Sequence, residues 1–79
     1  MEKLIDIANR AVADYGFRQA VLYGASDIGS RTGLSTKEQG TLEGPVMEFL
    51  AALPIPVQPE DIPSEQAKVI RVIRAAVDG

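Results

Sequence analysis

Seventy-nine residues are enough for one domain, and they lie near the size at which a single core only just offsets chain entropy. The absence of cysteine and histidine excludes disulfides, thiolate metal sites and the imidazole that most often serves as base or metal ligand at neutral pH. Hydrophobic residues make up 46%, charged residues 24%, and a net charge of −3 lacks the basic surplus of a phosphate binder, so nucleic acid is not an expected partner.

No apolar run approaches the length of a membrane span. The opening residues MEKLIDIANR spread charge through a stretch where a secretory signal would need an apolar core. The expectation is a cytoplasmic protein with no membrane partner, no metal and no cofactor. Tight helix packing or a second chain would have to supply the staple that so small a core usually needs.

Residues 2–23 read as one long helix. Asp6, Arg10, Asp14 and Arg18 recur every four positions as a solvated stripe, each pair worth about 0.2–0.5 kcal/mol. Leu4, Ile5, Ala8, Ala11, Val12, Tyr15, Ala20, Val21 and Leu22 supply the apolar faces. Gly16 costs about 1 kcal/mol in a helix interior, but the stripe continues on both sides of it. The alternative is a stop at Gly16 and a short helix from Phe17 to Tyr23.

Residues 24–34, GASDIGSRTGL, read as a loop or short turn because glycine and serine punctuate them. Ser35-Thr36-Lys37-Glu38 is a capping box. The Ser35 hydroxyl can accept from the Glu38 amide while the Glu38 carboxylate reaches back to the Ser35 amide, which predicts a helix start at Thr36. Gly44-Pro45 interrupts that helix, yet Leu42, Val46, Phe49 and Leu53 hold one face across the proline. Either a kinked helix spans 36–52 or two short helices meet with Pro45 at the first position of the second.

PIPVQPEDIP, residues 54–63, holds four prolines and reads as a stiff extended connector. Pro56 and Pro59 have the spacing of a proline-rich ligand, but no basic residue flanks them. Ser64–Val77 reads as a final helix with Ser64 as its N-cap and Glu65 in its first turn. Lys68, Arg71 and Arg74 repeat every three residues, which favours helix over strand despite the β-branched content. The chain is therefore expected to be all-α: one domain, 1–79, a small bundle of three to four helices with a proline-rich extended connector before the last.

Val69, Ile70, Val72, Ile73, Ala75, Ala76 and Val77 make the final helix apolar over a wide arc. Either that helix sits centrally and its arc is used within the chain, or part of the arc meets another chain. The second reading predicts a non-enzymatic adaptor, regulator or inhibitor that binds a copy of itself or a different protein. Its contact residues would be Phe49, Leu53, Val69, Ile70, Val72, Ile73 and Val77, with Arg71 and Arg74 as polar rim.

Two partial resemblances offer other roles. Ile28, Gly29, Gly33, Leu34 and Leu42 resemble a helix-turn-helix DNA reader: Gly29 as the small residue, Gly33 as the turn glycine, Ile28 and Leu34 as the locking apolars, and Leu42 as a core position of the second helix. The pattern departs at Gln39, where such motifs carry an apolar residue, and Arg31 and Lys37 are its obvious cations. Asp14, Phe17-Arg18, Val21-Leu22, Gly33-Leu34-Ser35, Glu38 and Leu42 are similar to the leader region of ribosomally made peptide precursors and to the LigA-type subunit of ring-opening dioxygenases. That resemblance implies a helical accessory protein gripped by a partner enzyme. Catalytic motifs are not evident: Glu60-Asp61 lie adjacent in the connector, and GASDIGS lacks the Gly-Lys-Ser/Thr ending of a phosphate loop.

Overall fold

The computed structural model describes residues 1–78 and is an all-α bundle. In chain order it contains α1 (Glu2–Ala13), α2 (Tyr15–Thr32), α3 (Thr36–Thr41), a π turn (Leu42–Val46), α4 (Met47–Ala51), a 3-10 turn (Pro59–Asp61) and α5 (Ile62–Asp78).

The first helix is not continuous to residue 23. It breaks at Asp14, whose backbone is extended (φ −121°, ψ 106°). Asp14 serves both ends of the break. Its amide donates to the Arg10 carbonyl at 2.8 Å, and its carboxylate accepts from the Phe17 amide at 3.1 Å, as an N-cap does. Gly16, a residue of poor helix propensity, lies inside the first turn of α2.

Residues 24–32 are helical rather than looped, a correction to the sequence expectation. α2 bends at Gly24 (φ −143°, ψ 35°) and resumes. Val21, Ala25 and Gly29 turn inward on one face, a four-residue spacing that outweighs the serines and glycines between them. The helix ends at Gly33, which takes the left-handed conformation (φ 80°, ψ 37°) that favours glycine, and its amide donates back to the Gly29 carbonyl at 3.1 Å.

The capping box forms as expected: the Glu38 amide donates to Ser35 Oγ at 3.1 Å, and the Ser35 amide donates to Glu38 Oε1 at 2.8 Å. The helix then runs on through Pro45. One wider turn, the π turn, accommodates a residue with no amide hydrogen and a ring that crowds the preceding carbonyls. Leu42, Val46 and Leu50 keep one buried face across it. The proline-rich connector follows, with a cis bond at Ile55–Pro56 and Val57 buried as an anchor. α5 begins two residues before Ser64. Pro63 fits its first turn, where no amide is needed, and the Ser64 hydroxyl donates to the Asp61 carbonyl at 3.0 Å.

Leu4, Val12, Val21, Leu42, Val46, Leu50, Val69 and Ile73 form the centre of the core, and each such side chain contributes about 1.5–3 kcal/mol on burial. α5 packs chiefly on α1, and also on α3 and the π turn.

Arg18 also lies inside this core, only 1% exposed, and not on a solvated stripe. The break at Asp14 changes the helical phase, so the eight-residue spacing from Arg10 no longer holds the two on one face. Arg18 Nε donates to the Ala11 carbonyl at 3.1 Å, Nη2 to Val12 at 3.2 Å and Nη1 to Pro54 at 3.0 Å. Ala11 and Val12 belong to the last turn of α1, whose carbonyls have no partner further along that helix and carry its negative dipole end. A guanidinium with a fork of donors satisfies them and holds the connector as well. The Tyr15 ring lies 5.4 Å from the guanidinium carbon.

Candidate docking surface

The final helix uses most of its apolar arc internally. Val69 and Ile73 are fully buried and Leu53 is nearly so, so these three of the expected contact residues serve the chain's own core. Phe49 and Val77 are half-buried and pack against that core. Ile70 and Val72 are also half-buried, but two residues along an α-helix separates them by about 160° around the axis, so they edge opposite sides of the buried face. The physical reason for the correction is the number of neighbours: α1, α3 and the π turn together cover the helix on more than one side.

Basic residues dominate what α5 offers outward. Lys68, Arg71 and Arg74 are exposed, as are the small Ala67 and Ala75 between them. Lys68 pairs with Glu65 at 3.3 Å; among the described residues no acidic group pairs with Arg71 or Arg74.

A second exposed face runs along α3, the π turn and α4, and sequence reasoning did not single it out. Two open grooves of about 480 and 440 Å³ meet at Glu43. The first is lined by Ser26, Ser30, Leu34, Thr36, Gln39 and Gly40; the second by Gly44, Pro45, Met47, Glu48 and Ala51. Gln39 fixes the wall between α2 and α3. Its amide nitrogen donates to the Ala25 carbonyl at 3.1 Å and to Glu43 Oε2 at 2.7 Å. Its side chain lies so close over Gly29 that a Cβ there would fall 1.7 Å from Gln39 Oε1.

The glycines of this face differ in cause. Gly44 precedes Pro45 in helical conformation, where a side chain would crowd the proline ring. Gly40 has no such neighbour, and nothing lies within 4 Å of where its Cβ would stand. The signal available in sequence was therefore a single helix-interior glycine with no turn to make.

Glu43 and Glu48 are both exposed on the rim of this face, and Lys37 is exposed on α3. Glu38, at the start of α3, has its carboxyl lowered from 4.5 to about 2 by the Met1 α-amine and by the Ser35 amide and hydroxyl of the capping box. Arg31, one of the two cations expected near this turn, pairs with Asp27 at 3.1 Å.

Two large apolar side chains stand well out in water, Tyr23 at 88% and Ile55 at 69%. Among the described residues no group of three or more acidic side chains is placed to hold a metal ion, and no helix is long and apolar enough to cross a membrane. No protein family, curated protein or solved structure matches the chain.

Proposed function

We propose that this chain is a non-enzymatic binding protein of the cytoplasm, an adaptor, regulator or inhibitor that works by holding another protein chain. The observation that carries this reading is Gly40. A glycine in a helix costs about 1 kcal/mol relative to alanine, and here the missing side chain makes no room for anything within the fold. A groove floor left bare at that cost favours close approach by a second backbone. The exposed edge of α5, with Arg71 and Arg74 flanked by Ile70 and Val77, gives a second surface of the same use.

Duplex DNA is the less favoured occupant. Gly33 does turn α2 into α3 with the small residue Gly29 at their contact, as the resemblance implied. Two exposed acids, Glu43 and Glu48, follow α3, however, and Arg31 is already paired with Asp27.

A photo-crosslinking amino acid at Ala51, on the groove rim, and at Arg74, on α5, tests the reading in the native cell against a control at the exposed Ala13 of α1. The expected result is a cross-linked protein chain from Ala51 or Arg74 and none from Ala13. No chain cross-linked from either site would refute it.

A further inference from the structure

We infer that the occupant of the α3–α4 groove is a second copy of this chain, which lays the Lys68, Arg71 and Arg74 ridge of its α5 along the Glu43 and Glu48 rim. The inference rests on the docking reading above and names the partner.

The first argument is charge. The ridge is cationic, the rim is anionic, and within one chain they do not pair: Lys68 meets Glu65, and Arg71 and Arg74 meet no acid among the described residues. Guanidinium and carboxylate recognise each other in a fork-to-fork geometry that neither group finds at home. The second argument is shape. On α5, Ala67 and Ala75 lie one turn on either side of Arg71, so the ridge is low except where the arginines reach out. Opposite it, Gly40 lines the first groove and Gly44 the second, and neither presents a side chain to an approaching helix backbone.

The third argument is placement. α5 packs beside α3 and the π turn, so ridge and groove belong to neighbouring elements. A two-fold axis then lets each copy offer its ridge to the other's groove, making the contact twice over.

Sedimentation equilibrium of the full chain, from about 10 µM to about 1 mM at low salt, tests this directly. The expected result is a dimer whose dissociation constant rises with ionic strength. Reversing the ridge (Arg71→Glu with Arg74→Glu) or the rim (Glu43→Lys with Glu48→Lys) should each weaken self-association by more than about tenfold. All four positions are exposed, and circular dichroism verifies that the variants fold. An equimolar mixture of the two reversed chains should recover a dimer, because each ridge again faces an opposite rim.

A wild-type chain that stays monomeric at all these concentrations overturns the inference. So does a dimer that survives both reversals. The photo-crosslinks separate this failure from that of the broader reading: links from Ala51 to a different protein leave docking intact and remove only the second copy, whereas no links at all remove both.

Discussion

Two stretches of this chain carry a residue hostile to helices, and they respond in opposite ways. Around Gly16 the helix does break, but at Asp14. Around Pro45 it does not break at all, and one turn widens to let the proline through. The difference lies in where the freed backbone groups go. At Asp14 a carboxylate caps the new amino end and the buried Arg18 takes the carbonyls of the old carboxyl end, so the break leaves few orphans. At Pro45 no such side chains stand by, and Leu42, Val46 and Leu50 are worth more on one continuous face than apart. Propensity marks a weak spot; the supply of replacement hydrogen bonds decides whether the chain separates there.

The comparison can be broken most forcefully at Arg18. Arg18→Met keeps the apolar bulk, removes the donors and leaves three carbonyls unpaired, so it should lower stability by about 2–4 kcal/mol in urea unfolding. A loss below about 1 kcal/mol would show that the break does not depend on the guanidinium. Asp14→Ala, which removes only the cap, should cost about 1 kcal/mol in the same measurement. On the other stretch, Gly40→Ala meets open space and should raise the thermal midpoint, with a gain of up to about 1 kcal/mol.

The last effect concerns acid, and it is the one that water and salt screen most. The Glu38 carboxyl titrates near 2 when folded and near 4.5 when free, so the folded state binds fewer protons across that window. Its stabilising contribution is complete above about 4.5 and disappears as pH falls towards 2. Glu38→Gln should flatten that part of the stability-against-pH curve and leave the region above pH 5 with little slope change.

The fold class, the capping box and the stiff connector were legible because each depends on residues close in sequence: Ser35 with Glu38, or four prolines in ten positions. Arg18 was not. Its four-residue spacing from Asp14 places it on a surface stripe only while the helix is unbroken, and the partner that shows its true position, the Pro54 carbonyl, lies 36 residues away. Residues 24–32 were obscured by composition, since glycines and serines that suggest a loop here sit between inward-facing Val21, Ala25 and Gly29. Of the surface expected on α5, Arg71 and Arg74 are exposed as read, whereas the fate of Val69 and Ile73 depended on how many helices crowd around them, which periodicity does not encode. The face along α3 and α4 was hidden for a simpler reason: Gly40, the residue that argues for it, has no side chain for a pattern to register.

The three-way grip of Arg18 has a consequence for how the molecule opens. The end of α1, the start of α2 and the connector share one charged latch, and pulling any of them away strands a cation in an interior without enough acceptors. These segments should therefore come apart as one cooperative unit in native-state hydrogen exchange, with the amides of Val12, Val21 and Leu53, the last at the start of the connector, deprotecting together. The connector, for all its exposed prolines, is tethered and does not act as a hinge on which α5 can swing free.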